Sequence, residues 1–369
     1  GATALAVWPD ERLAGRLVTS SKISTLQTST GRSSGRAREG EGMSRPKVIA
    51  IVQEGRPLPP VERLEAEADV VVVRTAEEFR AAQPGTEILF LNDFRTNLLR
   101  EVGPGELRWI HTSSIGVDSL MTREIIDSDI VVTNSRGVCE RPIAEWVLGV
   151  LLLFTKDLRR TIELQQARTW QHRETEPLLG RKVLVVGPGP VGRETVLLLR
   201  AAGMDVDIVG RSARNDTQLG HISGFDELDR LLGQADDVVL TLPLTEETRG
   251  LFNSSRFKKM RPGARLVNVG RGAVVVEQDL LDSIDSGHLA GAALDVFEHE
   301  PLDAGNPLWS RRNILVSPHA SGDLIGWRGR VVDCFARNLN NWKAHKPLND
   351  VVDLKKLGAV APAMVSKEA

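Results

Sequence analysis

From Val48 onward the chain alternates between short, unbroken apolar runs and longer stretches in which apolar residues recur every three or four positions. The runs predict strands at Val48–Val52, Val70–Val73, Ile88–Leu91, Trp109–His111 and Ile130–Val132. A second series follows at Val183–Val186, Val206–Val209, Val238–Leu242, Arg265–Val269, Ala292–Leu294 and Ile314–Val316. Helical spacing lies between them, at Pro142–Gln166, Gly192–Ala202, Phe225–Leu232 and Gln278–Ser286. Strands that are apolar throughout, rather than at alternate positions, are buried on both faces, and strands separated by helices pair in parallel. The pattern therefore predicts an α/β protein of doubly wound parallel sheets. Pro142 suits the first turn of a helix, where its missing N–H is not needed, and the long helix it opens is placed to separate two α/β units. No repeat of fixed short period is visible.

Upstream of Val48 the character changes. Residues 19–42 read TSSKISTLQTSTGRSSGRAREGEG, too poor in apolar side chains to offset the entropy of ordering them. Met43 then opens the first strand abruptly, so residues 1–42 are expected to be a disordered or non-native extension. A targeting leader is the alternative, which Asp10, Glu11, Glu39 and Glu41 argue against.

Composition narrows the class. A chain of 369 residues with 41% hydrophobic and 26% charged residues is ordinary globular protein, long enough for about two domains. A net charge of −2 gives no default nucleic-acid partner and no polybasic membrane patch. The longest apolar run, Trp146 to Phe154, is about half a bilayer crossing. Cys139 and Cys334, both in helical patterns, supply neither a disulfide framework nor a metal clip and fit a cytoplasmic protein. No metal site is expected, because His111, His172, His221, His288, His299 and His345 lack ligand spacing.

The most informative stretch is RKVLVVGPGPVGRETVLLLRAAGMDVDIVGRS. A buried strand runs into Gly187-Pro-Gly189-Pro190-Val191-Gly192, a helix follows, and then a second strand. In such a loop the first glycine permits the tight turn and the second lets the backbone approach a pyrophosphate. The third lets helix and strand pack closely, while the helix N-terminus offers N–H groups to the phosphates. NAD-binding versions place Asp or Glu at the end of the next strand to meet the ribose 2′-OH. Here Gly210-Arg211-Ser212-Ala213-Arg214 stands instead. Without a carboxylate, and with Arg211, Ser212 and Arg214 to grip a 2′-phosphate, the cofactor predicted is NADP(H), with NAD(H) as the second possibility.

Three further loops after strands carry chemistry: Arg271 between glycines in NVGRG, Asp295 and Glu300 in LDVFEHEPL, and His319 in SPHASG. With these, SSIGVD and the terminal NDVVDLKK, roughly residues 45 to 355 resemble the D-isomer-specific 2-hydroxyacid dehydrogenases. The GRS ending resembles the NADPH-preferring glyoxylate/hydroxypyruvate reductase branch, whereas SGDLIGWRGR after His319 departs from the family pattern.

The resemblance implies a Rossmann-type dinucleotide domain, 141–320, inserted into a discontinuous flavodoxin-like substrate domain, 43–140 with 321–369, and a homodimer. It implies a catalytic set of Arg271, Glu300 and His319, with Ile115 and Gly116 meeting the substrate carboxylate through backbone N–H groups. Leu242, Pro243 and Thr248, with Thr241, resemble the family's cofactor loop. Val269, Gly270, Asp295, His319 and Ser321 complete the implied cofactor contacts. In reduction of a 2-oxo acid, His319 would give the proton and Glu300 would favour the imidazolium. Arg271, which does not lose its charge, would hold the carboxylate and polarise the carbonyl.

Two other readings stay open. A dinucleotide-sensing corepressor-like scaffold shares the fold and can retain the same three residues. A phosphoglycerate dehydrogenase-type enzyme shares the chemistry but often carries a further regulatory domain. Trp146 and the apolar residues after it are either a buried helix stripe or a dimer face.

Overall fold

The computed structural model describes residues 45–52, 55, 57–92 and 96–355. The 1–42 extension and residues 356–369 lie outside the described residues. The first apolar series forms β1 (Lys47–Val52), β2 (Asp69–Val73), β3 (Ile88–Asn92), β4 (Trp109–Thr112) and β5 (Val131–Asn134). They pair in parallel in the order β2-β1-β3-β4-β5, the flavodoxin-like arrangement. The next strands are β6 (Lys182–Val186), β7 (Asp205–Val209), β8 (Arg214–Asp216) and β9 (Gly220–Ile222). After them come β10 (Asp237–Leu240), β11 (Arg265–Asn268), β12 (Gly291–Leu294) and β13 (Ile314–Val316). The second sheet runs β13-β12-β11-β10-β6-β7, also parallel throughout, a Rossmann-type doubly wound sheet.

The unbroken apolar runs are explained by burial on both faces. In β1, Val48 and Ala50 enter one core and Ile49 and Ile51 the other. In β6, Val183 and Val185 face one side while Leu184 and Val186 face the opposite one. After the second sheet the chain returns to the first. Val331, Phe335 and Leu339 of the Trp327–Lys343 helix pack against Val48, Ala50 and Trp109, and the Phe335 and Trp109 rings stack 5.0 Å apart.

Several expectations are corrected. The helix expected over 142–166 is two helices, Glu140–Thr155 and Leu158–Gln166. Asp157 breaks it by taking a left-handed conformation at φ 44°, which Asp tolerates better than most residues. Its carbonyl and carboxylate then hold the Arg173 guanidinium. The strands expected to reach Leu242 and Val269 stop at Leu240 and Asn268: the Thr241 hydroxyl donates across to the Gly187 carbonyl of the glycine loop, and the Asn268 side chain turns the loop after it. The Phe225–Leu232 helix begins as a 3-10 turn over Phe225–Glu227. The antiparallel β8–β9 pair was not anticipated, being short, polar and without period. In the helix 140–155, Val147, Val150 and Leu151 are core, with Trp146, Leu148 and Phe154 half-buried against the same cluster. Cys334 is buried, while Cys139 caps that helix rather than lying within it. Among the described residues no helix is long and apolar enough to cross a membrane.

Candidate active site

All the predicted site residues leave the C-terminal ends of strands, the edge at which open parallel sheets bind ligands. In the second sheet the glycine loop after β6 and the loop after β10 flank the point where strand order reverses. Gly187 adopts φ +110°, which favours glycine, and a Cβ on it would lie 2.9 Å from Thr241 Oγ1. A Cβ on Gly192 would lie 1.9 Å from the Gly187 carbonyl oxygen, so the helix Pro190–Ala201 seats against the loop only without a side chain there. Around Gly189, by contrast, no atom lies within 4 Å of a Cβ. It caps that helix, with Pro190 at the first helical position and Val191 next. A tight turn, an open middle glycine and a helix N-terminus fit a dinucleotide pyrophosphate.

Arg211, Ser212 and Arg214 lie exposed beyond β7. Arg214 donates to the Ser212 carbonyl at 3.2 Å and its Nη1 would sit 3.1 Å from a Cβ on the buried Gly210. Arg193, on the glycine-loop helix, grips Asp216 of the β8–β9 hairpin through both carboxylate oxygens. The hydrogen bonds from Arg193, then those from Leu219 and Gln218 N–H, hold the Asp216 carboxyl far below the usual range. In the loop after β10 the Thr248 hydroxyl donates to the Pro243 carbonyl at 2.7 Å and accepts from Thr245 N–H at 2.7 Å. A Cβ on Gly270 would lie 2.6 Å from the Leu242 oxygen, so the two loops, with buried Leu242 and Val269, touch.

Arg271 is presented by a turn that Asn268 builds, its amide donating to the Arg271 carbonyl at 3.0 Å and accepting from Gly270 N–H at 3.1 Å. The guanidinium reaches the segment after β4 and meets Asp118 Oδ2 with Nη2 at 2.6 Å and Nε at 3.0 Å. A Cβ on Gly116 would lie 1.7 Å from Arg271 Nη2, so the guanidinium rests on bare backbone. The Ile115 carbonyl accepts from Asn134 Nδ2 and the Gly116 carbonyl from Ser114 Oγ. Burial works to lower the Arg271 pKa, but the charges of Asp118 and Glu300 outweigh it and keep the group cationic. Burial likewise works to raise the Asp118 carboxyl, and Arg271 more than reverses it, holding it below the ordinary carboxylate range.

His319 stands after β13 at φ +55°, its Nδ1 2.9 Å from Glu300 Oε2, while Glu300 Oε1 accepts from Phe297 N–H at 3.0 Å. Asp295, buried at the end of β12, holds the His319 loop: it accepts from Ser317 Oγ, from Ala320 and Ser321 N–H, and from Ser321 Oγ. A Cβ on Gly272 would lie 1.8 Å from the Phe297 carbonyl carbon, so the loop that carries Arg271 abuts the segment whose N–H holds Glu300. His299, next to Glu300, is exposed. Sequence reading missed Asp118, Asn268 and Asn134. The only signal for Asp118 was a carboxylate two residues beyond Gly116 in SSIGVD.

A phosphate cradle at a sheet's reversal point, beside a carboxylate-held imidazole and a held guanidinium, serves hydride transfer at a polar carbon. The class is that of the nicotinamide-dependent oxidoreductases. The family model for the D-isomer specific 2-hydroxyacid dehydrogenase, NAD binding domain, matches residues 148–321. Glyoxylate reductase of Thermofilum pendens is 33% identical over 347 residues, covering 88% of this chain and 96% of that protein. Among solved structures, a D-isomer specific 2-hydroxyacid dehydrogenase family protein of Aeromonas salmonicida aligns with TM-score 0.73 at 32% identity, over 84% of this chain and all of its own. The NADPH-dependent glyoxylate/hydroxypyruvate reductase of Sinorhizobium meliloti, solved with NADP and sulfate, aligns with TM-score 0.70 at 26% identity, over 84% of this chain and 98% of its own. The chain belongs to the D-isomer-specific 2-hydroxyacid dehydrogenase family, and by that membership is an NAD(P)-dependent oxidoreductase.

Proposed function

We propose that the protein reduces a small 2-oxo acid, glyoxylate or hydroxypyruvate, to the D-2-hydroxy acid, with NADPH favoured over NADH. The observation that carries this reading is the 2.9 Å contact of His319 Nδ1 with Glu300 Oε2. A bound reduced nicotinamide supplies a hydride to the carbonyl carbon. With Nδ1 engaged by Glu300, proton transfer to the carbonyl oxygen falls to the opposite ring nitrogen, His319 Nε2. Glu300 orients the ring and offsets the imidazolium charge, and in the oxidation direction neutral Nε2 takes the proton back. Arg271 donates to the substrate carboxylate and carbonyl, and the N–H groups of Ile115 and Gly116 meet the carboxylate. Asp295 and Ser321 keep the His319 loop in place.

Residues 43–140 with 321–369 act as the substrate domain and 141–320 as the dinucleotide domain, the substrate lying between them where water is excluded. Gly210 supports NADPH, since a carboxylate there would repel a 2′-phosphate that Arg211, Ser212 and Arg214 attract. The Sinorhizobium relative, solved with NADP, supports the same choice. A homodimer is the proposed assembly, and a gel-filtration mass of one chain would remove it.

Oxidation of NADPH and NADH over glyoxylate, hydroxypyruvate, pyruvate and bulkier 2-oxo acids tests the reading. The two small acids with NADPH should give the highest kcat/KM. A tenfold preference for NADH, about 1.4 kcal/mol, would overturn the cofactor assignment. Turnover of none of these acids would leave the corepressor-like scaffold as the better reading.

A further inference from the structure

The Arg271–Asp118 contact joins residues 153 positions apart, one following β11 of the second sheet and the other following β4 of the first. A guanidinium has five N–H donors in a fixed plane. Asp118 Oδ2 takes the Nε–H and one on Nη2, and the Gly270 carbonyl takes one on Nη1 at 2.7 Å. One N–H on each of Nη1 and Nη2 is left, and with the Nε–Nη2 edge taken by Asp118 the Nη1–Nη2 edge is the one on which a guanidinium can grip a carboxylate with two hydrogen bonds. The side chains of Arg271 and Asp118 are 30% and 39% exposed, and a pair so exposed adds little to fold stability. Its consequence is orientation. The same short segment supplies both the clamp, Asp118, and the floor, Gly116, on which the guanidinium rests.

We propose that Asp118 is a positioning residue for the reaction: its carboxylate occupies the Nε side of Arg271 and so presents the Nη1–Nη2 edge to the 2-oxo acid. This rests on the reading of Arg271 as the substrate-binding cation. The segment that would contact the substrate carboxylate through Ile115 and Gly116 thus also aims the guanidinium, so the two contacts are set by one piece of backbone. Without Asp118 the guanidinium is free to swing about its flexible stem, and the substrate meets it in several orientations.

Steady-state kinetics of the full chain with glyoxylate and NADPH test the proposal in Asp118→Ala, Asp118→Asn, Arg271→Ala and the Asp118→Ala/Arg271→Ala double variant. Asp118→Ala should raise KM for glyoxylate about tenfold or more and lower kcat, the loss of a charge-assisted hydrogen-bonding partner. KM for NADPH should stay within about twofold, because only the orientation of Arg271 changes. Asp118→Asn keeps an oxygen acceptor and should recover part of the loss; it also carries the test if the alanine variant fails to fold. In the Arg271→Ala background, removing Asp118 should cost nothing further. Wild-type constants for both Asp118 variants beside an impaired Arg271→Ala, or an equal loss with and without Arg271, would overturn the positioning role. Full activity of Arg271→Ala would instead defeat the reading of Arg271 on which it rests.

Discussion

The two ion pairs of the site are similar in length and opposite in construction. His319 and Glu300 are 19 positions apart, both on loops of the second sheet, and both supported from within that sheet by Asp295 and the Phe297 N–H. Arg271 and Asp118 are 153 positions apart and need one loop from each sheet. The His319–Glu300 pair is therefore complete within one sheet, whereas the Arg271–Asp118 pair takes one loop from each. The difference teaches where to expect coupling. Damage to the first pair should stay chemical and local, and damage to the second should register in substrate binding.

His319→Ala should give the largest effect, lowering kcat by about 10²–10⁴ with little change in cofactor affinity. Stopped-flow or steady-state NADPH oxidation reads it, and an unchanged kcat would take the proton-transfer role from His319. Gly116→Ala addresses the other pair without touching a charge. Its Cβ would meet Arg271 Nη2 at 1.7 Å, and since that atom ends a flexible side chain the guanidinium moves and the fold survives. Loss of one hydrogen bond to a charged group predicts a drop in kcat/KM for glyoxylate of about 10- to 100-fold, with the pH dependence of kcat retained. A shifted pH profile would mean that the two pairs are not separable.

The last effect bears on stability and leaves turnover nearly untouched, and it concerns a histidine of the first sheet. His111 is fully buried, its Nδ1 2.8 Å from Thr133 Oγ1 and its Nε2 3.1 Å from Ser135 Oγ. Burial, and then the Arg337 charge, push its pKa down to about 3. Below the ordinary value of 6.5 the unfolded chain takes up a proton that the folded one refuses until about pH 3. Stability is thus intact above pH 6.5 and declines as pH falls through that window, by about 1.4 kcal/mol per pH unit from this group alone. His111→Gln should flatten the fall in Tm between about pH 6 and 4 while leaving turnover near wild type. An equally steep fall would show that other groups control acid unfolding.

Much of the fold was legible in residue order. Every apolar run read as a strand is one, with ends displaced by a residue or two, because burial on both faces of a parallel sheet leaves the same mark wherever it occurs. The glycine loop was legible for a related reason: a backbone that must turn at Gly187 and be overlain by Gly192 admits no side chain, and that demand is written locally. The break at Asp157 was not legible, since helical spacing continues on both sides of it and only the Arg173 contacts reveal the bend. The β8–β9 hairpin escaped because short polar strands have no period to detect.

The site divides along the same line. The sequence by itself determined the chemical types (imidazole, carboxylate, guanidinium, an open phosphate-binding turn) and the sheets on whose ends they stand. The pairing of Glu300 with His319 was implied by the family resemblance, while only the tertiary structure decided which carboxylate meets Arg271 and what Asp295 holds. Asp295 and Glu300 share one loop, yet Glu300 holds the imidazole and Asp295 the loop beneath it. The partner of Arg271 comes from the other sheet altogether. Pairing of charges depends on distance in space, and a chain that crosses between two sheets and returns leaves no local trace of that distance.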